Sequence, residues 1–225
     1  MKAELYKQIE EYMKSCVKET AHDCEHIYRV LNSCLRIAQN EKDVDYEVLI
    51  TAALLHDIGR DGKLKKHNEI GADMAYEFLN TIDFPVDKIE NVCHAIFCHS
   101  NVCYGMQKTL EAKILYDADK LDAVGVMGIS RALVDIGNYN NPMYVLKDGK
   151  VDLSENSETD CFVRYYVKHL SKNYDRFFTD TAKELALKHK QVDEAFFSAF
   201  LESVNPNEDL NVNMYLDKNN LTSQS

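Results

Sequence analysis

Breaks in the chain are scarce. Only 8 Gly and 3 Pro occur in 225 residues, far below average usage of about 7% and 5%. Between them lie long segments with apolar residues at steps of three and four, the period of a helix face. A chain so short of turn residues and so rich in that period has one economical solution, an all-α bundle. We place the domain at 1–204, with a core at 20–136, C-terminal helices at 158–203 and a polar tail at 205–225.

Residues 2–19 read as an amphipathic helix and 23–40 as a second, with Asp23 as its N-cap. In the second, His26, Val30, Ser33 and Ile37 share one face. A third spans 45–57, where Val48, Ala52, Leu55 and His56 form one stripe. Asp61-Gly62 marks a turn within a 59–66 loop, and 67–80 is helical again. Asp83-Phe84-Pro85 starts the next helix, with Pro85 in its first turn, and it runs to about Cys98. Residues 109–136 hold one or two helices, with a break at Gly125 to Gly128. Around Asp148-Gly149, residues 143–153 read as a small hairpin or a surface loop. Helices at 158–175 and 179–203 follow, the last with Thr181 and Glu184 at capping-box spacing. The Asn-rich tail is expected to fray.

Net charge is −11. That argues against binding a nucleic-acid polymer, which selects for a basic face. Anionic small molecules stay open, because a metal and a few cations can dominate the field in a cleft. No run of about 18 apolar residues exists, so no membrane span is expected. The first residues are charged and amphipathic, unlike a signal peptide. Seven cysteines, an odd number, read as reduced thiols in the cytoplasm. A homo-oligomer is compatible with this composition.

The chemistry-bearing feature is His56-Asp57, which ends the apolar run Ala52-Ala53-Leu54-Leu55. A titratable pair there is poorly solvated and needs a partner. With His26 and Asp119 it makes a mixed nitrogen and oxygen ligand set for a divalent transition metal. Taken singly, each has a plainer reading. His26 could be a satisfied core or surface histidine, His56-Asp57 a hydrogen-bonded helix end, Asp119 a solvated carboxylate. Together they come from three helices that a bundle core can bring to one point.

The order of these residues, with their flanks, resembles the HD superfamily of metal-dependent phosphohydrolases, in a bacterial hydrolase branch. The matching stretches are His26 to Val30, Leu54 to Ile58, His67 to Ala72, Ala95 to Ser100, Asp117 to Asp122, Asp122 to Arg131 and Thr179 to His189. The resemblance implies an all-α, single-domain HD-type bundle whose metal is held by His26, His56, Asp57 and Asp119. It implies a divalent ion (Mn²⁺, Mg²⁺, Co²⁺, Ni²⁺ or Fe²⁺). It gives His67 and His99 either a second metal or the oxygens of substrate. Asp61 would handle the proton of the attacking water, unless it is only a turn residue. Asp122 would assist as a second acid/base or by orienting a ligand imidazole. Arg29 or Lys120 would meet phosphate, with Lys63, Lys65 and Lys66 at the rim and His22 further out. His94 is left as a supporting core residue. Cys93, Cys98 and Cys103 lack the spacing of structural zinc.

The function implied is hydrolysis of a phosphate ester or anhydride, most simply of a nucleotide. Its rivals are a dinuclear phosphodiesterase for cyclic nucleotides or dinucleotides, and a sensor that binds nucleotide without turnover. A di-iron oxygenase would need more ligands in another pattern.

Overall fold

A computed structural model describes residues 1–17, 23–60, 66–156 and 158–204. Among them the chain forms α1 (Ala3–Cys16), α2 (Cys24–Ala38), α3 (Tyr46–Leu55), α4 (His67–Leu79) and α5 (Val86–Cys98). These are followed by α6 (Leu110–Asp122), α7 (Gly125–Asn138), α8 (Phe162–Lys168) and α9 (Asp180–Val204). A two-stranded ribbon, β1 (Leu146–Lys147) and β2 (Lys150–Val151), projects between α7 and α8. The architecture is the all-α bundle expected.

α3 explains where the site lies. Val48, Leu49 and every residue from Thr51 to Leu55 are buried, so this helix is enclosed on all sides. A helix apolar all round belongs in a core. It is flanked by α1, α2, α5 and α6. Its C-terminal end, His56 and Asp57, therefore emerges inside the protein, and both are buried. Asp45 starts it by accepting from the Glu47 and Val48 amides, and Asp23 caps α2 through the His26 amide, as the sequence suggests.

Gly59 lets α4 come close. A Cβ there would lie 2.3 Å from the His67 carbonyl oxygen and 2.4 Å from the Gly71 nitrogen. Backbone meets backbone at this point, and nothing flexible can yield. Gly59→Ala is expected to push the start of α4, with His67, away from α3 and to cost about 1–3 kcal/mol, the usual penalty of overpacking. Thermal unfolding of that variant beside wild type checks it.

α6 and α7 are separated at Ala123–Val124, where α7 opens on Gly125 at φ 68°. That backbone favours glycine, and a Cβ would also strike His189 Nδ1 at 2.5 Å. The junction is tied to α9 through Tyr174, whose hydroxyl accepts from the Gly125 amide and donates to Asp193. A second, smaller core gathers Ile129, Ala132, Phe162, Tyr166 and Leu170, with Phe197 and Phe200 of α9 against it.

Several boundaries differ from those read in the sequence. The helix expected at 158–175 forms only as α8, followed by a 3-10 segment over Leu170–Asp175. Cys161 Sγ caps the Arg164 amide, while the Phe162 and Val163 amides bond to carbonyls of Pro142 and Met143. At the other end His169 leaves helical geometry (φ −123°, ψ −63°), and Leu170 is buried in the second core. The Thr181–Glu184 box is not what starts α9. Thr179 Oγ1 accepts from the Ala182 amide instead, because Asp117 of α6 fixes Thr179 by taking its amide and hydroxyl. Pro85 sits one residue ahead of its helix. The 143–153 ribbon does form, with Asp148 and Gly149 both at positive φ in its two-residue turn. No helix among the described residues is long and apolar enough to cross a membrane.

Candidate metal centre

α2 delivers His26, the end of α3 delivers His56 and Asp57, and α6 delivers Asp119. His26 Nε2 lies 3.3 Å from His56 Nε2, 3.5 Å from Asp57 Oδ2 and 3.6 Å from Asp119 Oδ1. The other oxygen of Asp57 faces elsewhere. Oδ1 is 3.4 Å from His99 Nε2 and 3.9 Å from His67 Nε2, and those two nitrogens are 3.2 Å apart. Two triads thus share one carboxylate: His26, His56 and Asp57 on one side, Asp57, His67 and His99 on the other.

The chemistry of this donor set fits a cation. His56 Nδ1 is 2.8 Å from the Ala53 carbonyl oxygen and His99 Nδ1 is 2.6 Å from that of Ile96. A carbonyl only accepts, so each Nδ1 carries the hydrogen and each Nε2 offers a lone pair. His26 Nδ1 meets Asp122 Oδ2 at 2.7 Å and is set the same way. Imidazoles held by their far nitrogen are the usual preparation of metal-binding histidines. Burial, with His99 and His26 nearby, pushes His56 down to about 3, so it is neutral and ready to bind. Burial and the Arg60 charge push His67 down to about 4. For His26, burial is outweighed by the carboxylates of Asp122 and Asp57, which raise its pKa. The same carboxylates favour a dication at its Nε2. Asp119 is partly buried, and desolvation would raise its pKa, yet Lys120 and the neighbouring histidines hold it well below the usual carboxylate range.

Around this centre stands a ring of fixed charges. Asp122 accepts from Arg29 Nε at 2.7 Å and from Arg131 Nη1 at 2.8 Å, besides His26. Despite burial, the His26 and Arg29 hydrogen bonds bring its pKa to about 2. Lys120 Nζ lies 2.9 Å from Asp119 Oδ2 and 5.3 Å from the Tyr116 ring centroid. Arg60 Nε lies 2.8 Å from Asp57 Oδ2. A cleft of about 310 Å³ opens beside the centre, lined by Arg60, Asp119, Lys120 and Arg131 at this end.

His26, His56, Asp57, Asp119, His67 and His99 therefore converge, Lys120 borders the cleft, and Asp122 lies behind His26. Arg29 is turned to Asp122 and does not line the cleft. Asp61, Lys63, Lys65 and His22 lie outside the described residues. His94 stands apart, accepting from the Lys108 amide beside Cys98. Burial lifts the Cys93 and Cys98 thiols to about 11, and among the described residues neither they nor Cys103 join a cluster of metal-ligating side chains. Two residues to which sequence reasoning gives no role are Arg60 and Arg131. The signal for Arg60 was its position three residues after Asp57, close enough to fold back on it across one turn. Nothing in the sequence marks Arg131 as a partner of Asp122.

Comparison with known proteins agrees with this geometry. Residues 24–124, which carry His26, His56, Asp57, His67, His99 and Asp119, match the family model described as HD domain. The chain carries an HD domain over these residues. It is similar to the uncharacterized protein YpgQ of Bacillus subtilis, 29% identical over 185 residues, covering 80% of this chain and 83% of YpgQ. The crystal structure of YpgQ in complex with ADP superposes at a TM-score of 0.72, with 26% identity, over 92% of this chain and 98% of that one. An HD-superfamily hydrolase from Bacillus thuringiensis shares the fold at a TM-score of 0.71, with 23% identity, over 92% of this chain and 100% of that one.

Proposed function

We propose that this protein is a metal-dependent phosphohydrolase that cleaves a phosphate ester or anhydride of a nucleotide. The observation that carries the reading is the convergence of prepared imidazole and carboxylate acceptors beside a cleft lined by Arg60, Lys120 and Arg131. Acceptors alone would make a cation trap, and cations alone an anion trap. Side by side they suit a phosphoryl group whose attack needs both.

His26, His56, Asp57 and Asp119 would hold a divalent ion such as Mn²⁺, Mg²⁺, Co²⁺, Ni²⁺ or Fe²⁺. Such an ion supplies Lewis acidity and a bound water of lowered pKa. The rest falls to the chain itself. Lys120, Arg60 and Arg131 neutralise phosphate oxygens and hold them in line for attack. Asp122 fixes the His26 ring through Nδ1 and is itself fixed by Arg29 and Arg131. Its oxygens are so engaged that we assign it positioning rather than proton transfer. Asp61 keeps the proton-handling role implied by the resemblance. Asp61→Asn is expected to retain metal and lower turnover about 10²–10⁴-fold; unchanged turnover with metal present would remove Asp61 from the mechanism.

A nucleotide is favoured among phosphoesters because YpgQ, similar along most of this chain, was crystallised with ADP. Location in the cytoplasm is favoured by seven cysteines that are all free thiols. A dinuclear phosphodiesterase acting on cyclic nucleotides or dinucleotides is the second reading. It is favoured by Asp57, whose two oxygens face different histidine pairs. A panel of mononucleotides, cyclic nucleotides, dinucleotides and simple phosphoesters, assayed with each metal and with products resolved as phosphate, pyrophosphate or nucleoside monophosphate, separates the two. Binding without any turnover would identify a sensor.

A further inference from the structure

The cleft beside the metal centre is chemically polarised along its length. Arg60, Lys120 and Arg131 stand at the metal end, each in contact with a carboxylate of the centre or of its support. The other end is built from a different part of the fold. Ala132 and Asp135 come from α7, Tyr165 from α8, and Leu170 from the 3-10 segment that follows. Asp135 is one helical turn beyond Arg131, about 6 Å along the axis. Its exposed carboxylate repels phosphate from that end. Leu170 and Ala132 are buried and apolar. Tyr165 is 40% exposed, beside the buried Phe162, Val163 and Tyr166 of the same helix. It also lines a second cavity of about 280 Å³. The His169 ring, 5.1 Å away between centroids, backs it.

We propose that Tyr165, with Leu170 and Asp135, forms the subsite for the nucleobase and sugar of the substrate, so that the nucleotide lies with its phosphates at Lys120, Arg60 and Arg131. The inference rests on the phosphohydrolase reading for its phosphate end. An accessible aromatic face is what a base stacks on. Asp135 can accept from sugar hydroxyls. The cleft volume of about 310 Å³ is at the small end of ligand pockets, roughly 300–1,000 Å³, which suits one nucleotide. Because α8 and the 3-10 segment after it deliver Tyr165 and Leu170, the region from α7 to that segment sets which organic group is accepted, while the 24–124 segment supplies most of the chemistry.

The test compares a probe that has a base with one that lacks it. ADP and pyrophosphate are titrated calorimetrically into the metal-loaded protein. Wild type is expected to bind ADP about tenfold or more tightly than pyrophosphate, the scale of one stacking contact. Tyr165→Ala should remove most of that preference and leave pyrophosphate affinity within about twofold; Tyr165→Phe should restore it. The chain has no Trp, so Tyr165→Trp also gives a single reporter whose fluorescence ADP should quench and pyrophosphate should not. Equal affinity of wild type for the two probes, or an unchanged preference in Tyr165→Ala, overturns the subsite. Base-dependent binding with no hydrolysis under any metal would instead overturn the phosphohydrolase reading and leave the subsite standing.

Discussion

Asp57→Asn is expected to empty the centre of metal and to stop hydrolysis. The substitution keeps the shape of the side chain and changes only its charge and one acceptor. Yet Asp57 is the one carboxylate common to both triads, facing His26 and His56 with Oδ2 and His67 and His99 with Oδ1. Without its charge, the second triad keeps only the imidazoles of His67 and His99 and no carboxylate. Residues that merely support a metal ligand are worth about 10–100-fold in affinity or activity, so a shared ligand should exceed about 100-fold. A second signature is thermal. Metal at about 100 times its Kd stabilises a protein by about 2.7 kcal/mol, or roughly 5–10 °C for a chain of this size. Wild type should gain that much on metal addition and Asp57→Asn should gain almost none. Equal metal content and an equal thermal gain in the two proteins would show that the ligands lie elsewhere.

Asp122→Asn has the next largest expected effect, and it separates positioning from proton transfer. Oδ2 accepts from His26 Nδ1, Arg29 Nη2 and Arg131 Nη1, and Oδ1 accepts from Arg29 Nε. Whichever way an amide is turned, its NH₂ group faces a donor. The His26 ring must then rotate or change tautomer, or an arginine must withdraw. Breaking a buried charged network costs about 3–5 kcal/mol; partial exposure of Arg29 puts the expected loss near about 3 kcal/mol. Metal affinity should fall about 10–100-fold. If Asp122 acted only as an acid or base, metal affinity would stay as in wild type while turnover fell.

Much of the centre was legible because its signals are local. An apolar run that ends in His56-Asp57 states that the pair is buried, and α3 is enclosed as that run implies. Asp23 and the Asp148-Gly149 turn act within four residues of themselves. The three carboxylates of Asp117, Asp119 and Asp122 were harder to tell apart. Positions 117 and 119 are about 200° apart on a helix, so only one can face His26. Asp119 does, while Asp117 reaches back to the Phe178 and Thr179 amides and starts α9. That contact spans 61 or 62 residues, and a local pattern at Thr181 and Glu184 cannot reveal it. The start of α8 escaped for the same reason: the Phe162 and Val163 amides bond to carbonyls of the 142–143 loop. Arg131 meets Asp122 across the α6–α7 break, nine residues away and out of helical register.

The central claim is that hydrolysis of a nucleotide depends on metal held at Asp57 and its histidines. The most direct measurement strips the purified protein with a chelator and follows product release from nucleotide as Mn²⁺ is restored, with bound metal counted in parallel. The expected result is no release from the stripped protein, and recovery that rises in step with metal bound in wild type but not in Asp57→Asn. Release by fully stripped protein at the wild-type rate, or metal-dependent release of equal size in Asp57→Asn, would contradict the account.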